Sequence, residues 1–309
     1  MRNRILDFSE QGAYLKLYLD NLVVERQGKE ITRIPLEDVA VLVLANEQVV
    51  ITQAALASVL GHSGMVVICG PNKMPVGMTL PLQGNYIQTE RFQQQIKVTK
   101  PVRKRLWQQI VRAKIKAQGE LLHKIHGNDF GLFALSDRVK SGDTGNLESR
   151  AAVIYWKQLF KDEKFRRNTE AEDQNRLLNY GYAVLRSVVA RSLCAAGLHL
   201  SLGLHHHNRY NAFVLADDIM EPFRPLVDVI VVDCVDRYGT QLQLTSKVKK
   251  EVISSILAPY RYNGEERSLF DWLSRISSSL VAVFSGEQRK MYLPEFSIYH
   301  VEAGRLFRV

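Results

Sequence analysis

Acids and histidines set among apolar residues mark three places in this 309-residue chain where chemistry could sit. The first is GDTGNLESRAAVIYW, residues 142–156. Proline-free sequence follows Asn146, which suits a helix with Asn146 as its cap. On that helix Glu148, Ala152, Tyr155 and Leu159 share one face, and its other members are apolar or aromatic. A carboxylate there is costly unless it is paired or holds a cation. A Glu in a first helical turn also favours the helix dipole and can stay hydrated. The residue types alone favour that plainer account. Ala151 and Ala152 weigh slightly against it, because small residues let another element approach closely.

The second place is LGLHHHNRYNAF, residues 202–213. Imidazole suits many divalent metals, and one His among oxygen ligands suits an Mn²⁺- or Mg²⁺-type nuclease site. Adjacent histidines point in different directions, so at most one or two of His205, His206 and His207 face a given ion. A polar loop of partly exposed histidines is the competing account. The third place is LADDIMEPFRPLVD, residues 215–228, where Asp217, Asp218, Glu221 and Asp228 interrupt an apolar run. Pro222 and Pro225 are tolerated only near a helix start or a kink, so Glu221 should sit at a break. Capping acids account for one or two of the four. Arg224 could pair with a carboxylate or with a phosphate.

The elements that must position these residues divide the chain in two. Residues 1–80 read as a β-rich, β-sandwich-like domain. Strands are expected at 14–19 and 22–26 around the Asp20-Asn21 turn pair, at 31–35 after Gln27-Gly28, at 39–44, at 65–69 and at 76–80. One short helix is expected at 52–62, started by Thr52 and closed by Gly61. Residues 81–100 turn to Gln, Asn and Gly and read as a linker. From Pro101 to 309 the pattern is helical and predicts a larger all-α domain, so the fold class is α+β. Leu106, Ile110, Ala113, Ala117 and Leu121 recur at helical spacing, with Arg105, Arg112 and Lys116 on another side. Further helices are expected at 147–160, at 174–196 closed by Gly197, at 213–235 and at 247–257. Apolar stretches at 268–284 and 294–301 complete the chain.

Bulk properties narrow the function classes. Two domains fit the length. Hydrophobic residues make up 46% and charged residues 24%, a globular composition. No apolar run reaches membrane-spanning length, and MRNRILDFSEQ has no apolar signal core, so a cytoplasmic protein is expected. Cys69, Cys194 and Cys234 form no CxxC pair and are expected as buried, reduced thiols. Net charge is +9, and between Arg91 and Lys124 there are ten Lys or Arg and one acid, Glu120. A basic stripe of this kind suggests a polyanion, nucleic acid rather than membrane, with a solvated helix face as the even alternative.

Together these motifs resemble a known family. GNLESRAAVIYWKQLF, NYGYAVLRS (179–187), GLHHHNRYNAF and LADDIMEPFRPLVD match in order and spacing the CRISPR-associated integrase that captures new spacers, the first of the numbered CRISPR-associated proteins. The details are most similar to its type II version. The resemblance covers essentially the whole chain, including the PEF tripeptide at 294–296, and EPFRPLVD is its most specific motif. One departure is Ser149, where the family often has Gly.

The resemblance implies a metal-dependent DNA integrase and endonuclease, with Mg²⁺ or Mn²⁺ as cofactor. It places the family's three metal ligands and catalytic residues on Glu148, His206 and Glu221, with Asp218 as a supporting acid. A DNA 3′-hydroxyl would attack a phosphodiester at the leader–repeat boundary. Implied partners are double-stranded prespacer and leader–repeat DNA, a second copy of the chain joined through the N-terminal domain, and a small second adaptation protein bridging two dimers. In type II systems the effector nuclease and accessory adaptation proteins join them. Arg103, Lys104, Arg105, Arg112, Lys116 and Arg224 are the candidates for phosphate contacts, with Arg166 and Arg167 weaker ones. A metal-dependent nuclease or junction resolvase that does not integrate would use the same three ligands.

Overall fold

Runs of β-branched and aliphatic residues near the N-terminus become strands, as that composition favours. The computed structural model describes residues 4–71, 75–79, 81, 84–160, 162, 164–240 and 244–294. The strands are β1 (Arg4–Phe8), β2 (Tyr14–Tyr18), β3 (Asn21–Glu25), β4 (Thr32–Pro35), β5 (Val39–Leu44), β6 (Val50–Ile51), β7 (Met65–Cys69) and β8 (Pro75–Thr79). They form two four-stranded sheets, β1-β5-β7-β8 and β4-β3-β2-β6. In the first, β1, β5 and β7 run parallel and β8 is antiparallel. Parallel β5 and β7 need a crossover connection, and it contains helix α1 (Gln53–Gly61), whose Thr52 cap accepts from the Ala55 N–H as expected. Leu15 and Leu22 of one sheet, Val39, Leu42 and Val66 of the other, and Ala55 and Val59 of α1 share one buried cluster.

The register of β2 on β3 pairs Tyr18 with Asn21. The turn is therefore Leu19-Asp20, with Leu19 left-handed, and not Asp20-Asn21. Strands β1 and β6 are additions to the sequence expectation. All three cysteines are free, but only Cys234 is buried; Cys69 and Cys194 are half-buried, because strand and helix periodicity turns part of each apolar run outward.

The described helices that follow are α2 (Gln88–Lys97), α3 (Lys100–His126), α4 (Leu132–Asp137), α5 (Leu147–Leu159), α6 (Gln174–Ala195), α7 (Val214–Met220), α8 (Arg224–Tyr238) and α9 (Ser246–Ile256). After them come a hairpin of β9 (Tyr260–Tyr262) and β10 (Glu265–Arg267), and α10 (Leu269–Phe284). The chain divides into two compact units, Met1–Gln88 with Cys194–Gly197, and Thr89–Leu193 with Leu198–Val309. Helix α2 lies within the stretch read as a linker. No described helix is long and apolar enough to cross a membrane.

The C-terminal part is not purely α. Asn263 and Gly264 both have positive φ, as a two-residue turn of the hairpin requires, and β-forming tyrosines precede them. The helix expected at 213–235 is broken into α7, a 3-10 turn at Glu221–Phe223, and α8. Pro222 and Pro225 start the second and third of these, where a missing N–H costs nothing. The stretch from 295 onward, which holds most of the PEF tripeptide and the last apolar run, and Leu80 of the expected 76–80 strand lie outside the described residues.

Candidate active site

Helix α3 buries Leu106, Trp107, Ile110, Val111, Ile115, Gln118 and Leu121 along one side. At roughly 100° per residue, Lys114 falls in the middle of that side. A buried ammonium needs anions, and it has two. Lys114 Nζ lies 2.6 Å from Glu148 Oε1 and 2.6 Å from Glu221 Oε2. Burial alone would lower the Lys114 ammonium, but Glu221 and Glu148 raise it above its ordinary value. Two of the three candidate ligands, 73 residues apart in sequence (221 minus 148), thus converge on one cation.

Local sequence explains how each carboxylate arrives. Glu148 is in the first turn of α5, whose leading N–H groups are held by Asp143, with Leu147 N to Oδ1 at 2.9 Å and Glu148 N to Oδ2 at 3.0 Å. Asp143 therefore replaces the expected cap. Asn146 is left-handed and its side chain makes no cap bond. The buried stripe of α5 is Leu147, Ala151, Tyr155 and Leu159, so Ala152 is half-exposed and Glu148 stands on the stripe's edge. Glu221 starts the 3-10 turn between α7 and α8 and is 5% exposed. Arg224 Nε donates to its Oε1 at 3.0 Å. Burial would raise the Glu221 carboxyl, but Arg224 and Lys114 hold it below its ordinary value.

The histidine loop is built on Asp218, which is fully buried. Its Oδ2 accepts from Leu204 N at 2.6 Å and His205 N at 3.0 Å, and its Oδ1 from His206 N at 3.3 Å and His206 Nδ1 at 2.5 Å. A Cβ on Gly203 would come within 2.8 Å of His206 O and 3.0 Å of Asp218 Oδ2, so the loop can wrap the carboxylate only with glycine there. The Asp218 bond raises His206 above its ordinary value, while burial lowers His205. Trp107 supports both rings, stacked on His205 at 4.3 Å and edge-on to His206 at 5.2 Å. His207 is exposed. With Nδ1 taken by Asp218, the other ring nitrogen of His206 is the one available to an ion, an arrangement that fixes tautomer and orientation.

Buried Gln95 ties down the start of this loop. Its Nε2 donates to His199 O and Leu202 O, both at 2.9 Å, and its Oε1 accepts from His199 N at 2.9 Å. Gln95→Ala removes three buried bonds worth about 1 kcal/mol each, so a loss of roughly 2–3 kcal/mol is expected in chemical denaturation.

The other acids of the 215–228 run are spent elsewhere. Asp217 pairs with Arg186 at 2.7 Å. Asp228 is buried and accepts from the Tyr155 hydroxyl at 2.6 Å and from the Tyr182 hydroxyl. Burial pushes its carboxyl up to about 6. The Arg167 guanidinium donates to Asn175 and Asn179 and lies over Tyr182, and Arg166 donates to Phe165 O. The NYGYAVLRS motif thus supplies packing and braces: a Cβ on Gly181 would come within 2.4 Å of Val227 on α8.

The basic candidates separate into groups. Arg105, Arg112 and Lys116 line a cavity of about 630 Å³ with Arg289 and Lys290; among the described residues Asp137 is the one acid in its lining, and its carbonyl accepts from Arg112 at 2.8 Å. By helical rotation this face of α3 is opposite Lys114. Arg103 and Lys104 lie off it, Lys104 against Gly142. Arg224 is against Glu221 and over Tyr182.

Among the described residues, no three His, Cys, Asp or Glu side chains are gathered into a ready metal cluster. The donor set nevertheless suits a hard divalent ion. Two carboxylates already share one cation, and His206 lies within electrostatic reach of both. Sequence reasoning missed Lys114, Trp107, Gln95 and Asp143. The signal for Lys114 was a lone lysine among the apolar positions 107, 110, 111 and 121.

Comparison with known proteins bears on the family and the fold. A family model described as "CRISPR associated protein Cas1" matches residues 7–255. The "CRISPR-associated endonuclease Cas1" of Neisseria meningitidis serogroup C is 35% identical over 290 residues, 93% of this chain and 94% of that protein. Among solved structures, a casposase bound to integration product superposes with TM-score 0.76 at 18% identity, covering 98% and 95% of the two chains. A Cas1 protein from Thermotoga maritima gives 0.72 at 18%, covering 94% and 99%. At these identities the two structures establish a shared fold.

Proposed function

This chain belongs to the Cas1 family of CRISPR-associated proteins, and on that premise we propose that it is a metal-dependent DNA integrase that inserts new spacers into a CRISPR array. The observation that carries the proposal is the convergence of Glu148 and Glu221 on one cation, beside a histidine oriented by a buried carboxylate.

Glu148, Glu221 and the free ring nitrogen of His206 would hold Mg²⁺ or Mn²⁺. When bound, such an ion lowers the pKa of an attacking hydroxyl, orients the phosphate and neutralises the leaving oxygen. Asp218 keeps His206 in the donor tautomer and fixes its ring. Arg224 holds Glu221 in place. No residue is assigned as a dedicated general base. The reaction is a transesterification: a DNA 3′-hydroxyl attacks a phosphodiester at the leader–repeat boundary, one P–O bond forms as another breaks, and no external energy source is needed. Water in place of the hydroxyl gives endonuclease cleavage, the activity for which the Neisseria protein is named. Incubating the protein with 3′-hydroxyl duplexes and an array plasmid tests the proposal, since joined product supports integration and cutting alone supports a nuclease or junction resolvase.

The reacting phosphodiester would lie at the carboxylate pair, and other phosphates of the bound double-stranded DNA would meet the opposite, basic face of α3, with Arg105, Arg112 and Lys116 as contacts and Arg103 and Lys104 as further candidates off that face. A second copy of the chain, joined through a sandwich-like N-terminal domain, and a small second adaptation protein complete the assembly. The type II effector nuclease and accessory adaptation proteins join it in the cell. Each neutralised phosphate contributes about 0.9 to the slope of log affinity against log salt. The double change Arg105→Ala/Lys116→Ala is therefore expected to lower that slope by about 2 in a fluorescence-anisotropy titration of duplex DNA.

A further inference from the structure

The Lys114 ammonium stands where a cation shared by Glu148 and Glu221 must stand. It lies 2.6 Å from one oxygen of each carboxylate, and its side chain is only 12% exposed. Lys114 is one residue outside the three candidate ligands, comes from a different helix, and sits in the middle of an apolar face where a lysine has no packing reason to be. Without it, two carboxylates with side-chain exposures of 20% and 7% would face each other, and the remaining ion pair among the described residues would be that of Arg224 with Glu221.

We propose that Lys114 is a resident counter-cation of the active site, which a divalent ion must displace from between Glu148 and Glu221, and that a DNA phosphodiester receives the displaced ammonium. The inference rests on the metal-dependent reading above and adds a rule of assembly. Metal entering alone exchanges one cation for another and leaves a charged lysine without its anions. Metal entering with DNA gives that lysine a phosphate within side-chain reach. Metal and DNA therefore bind with positive coupling, and by linkage each strengthens the other by the same factor. The protein on its own holds metal weakly, and the loaded centre forms where there is DNA to act on. No proton leaves the lysine in this exchange.

The test is Mn²⁺ binding by isothermal titration calorimetry to the full-length protein, with and without duplex DNA carrying 3′-dideoxy ends that cannot react. It is run on wild type, Lys114→Met and Lys114→Met/Glu148→Gln, with thermal melts in chelator. Lys114→Met is expected to bind Mn²⁺ at least tenfold more tightly than wild type in the absence of DNA. Its melting temperature in chelator should fall by several degrees, and the double variant should recover most of that loss. DNA should tighten Mn²⁺ binding more in wild type than in Lys114→Met. Equal Mn²⁺ affinity in wild type and Lys114→Met, or an equal effect of DNA on both, overturns the inference while leaving the metal centre standing. No Mn²⁺ binding to wild type with DNA present overturns the metal centre and the inference together. A melting loss that Glu148→Gln does not repair assigns Lys114 a packing role and rejects the counter-cation.

Discussion

Glu148→Gln and Glu221→Ala should both lower strand transfer by about a thousandfold, yet differ in what they do to the fold. A metal's charge stabilisation is worth several kcal/mol, and each 1.36 kcal/mol is tenfold in rate. Losing either carboxylate ligand therefore removes about three orders of magnitude. The stability cost follows the ion pairs. Glu148 is the partially exposed member, and removing its charge leaves Lys114 paired with Glu221 at 2.6 Å. Glu221 is the shared, more deeply buried anion of Lys114 and Arg224, and removing it breaks the Arg224 pair and leaves Lys114 with Glu148 alone. Breaking a buried pair costs about 3–5 kcal/mol. Glu221→Ala is thus expected to lose stability in urea denaturation as well as activity, and Glu148→Gln to lose activity with little change in the midpoint. Equal destabilisation by the two would mean that the pairing around Lys114 is not as described.

The second large effect belongs to Asp218, which makes four hydrogen bonds to the 204–206 loop. Asn is not a conservative replacement, because its single acceptor oxygen cannot serve donors on both sides and its amide would face backbone N–H groups. Asp218→Asn should loosen the loop and release the His206 ring. Loss of such an orienting partner lowers metal affinity by about 10–100-fold, readable as a shift in the Mn²⁺ dependence of joining. A pH effect accompanies it in wild type. The Asp218 bond holds His206 above the ordinary value of 6.5, and an ion needs the neutral ring. As pH falls, protonation of His206 competes with the ion from above 6.5 downward, so joining should decline on the acid side of neutrality.

Much of the site was legible in the sequence. The break at Pro222 and Pro225 placed Glu221 at an element junction, and the structure has a 3-10 turn there. The anomaly of acids in an apolar run was real, but residue types could not divide four carboxylates among a shared cation, a loop, an arginine and a tyrosine pair. That division depends on contacts between α3, α5, α6 and α8, which spacing along one helix does not reveal. Lys114 was hidden inside a charge count that treated the whole stretch from Arg91 to Lys124 as one basic stripe. Helical rotation separates it from Arg105, Arg112 and Lys116. The β9–β10 hairpin had a readable signal, Asn263-Gly264 after two tyrosines, masked by the helical pattern on either side. Strand β1 had a weaker one, since Ile5 and Leu6 sit among charges and are held by pairing with β5.

The most direct measurement is strand transfer with Glu148→Gln beside wild type, because that variant is expected to keep its fold. Short duplexes with free 3′-hydroxyls and a supercoiled plasmid carrying the matching leader and repeat are mixed with each protein and the small second adaptation protein, in Mn²⁺, Mg²⁺ or chelator. Joined product that requires the metal and disappears in Glu148→Gln is the predicted result. Joining that persists in chelator, or in folded Glu148→Gln, would contradict a metal-dependent integrase centred on these residues.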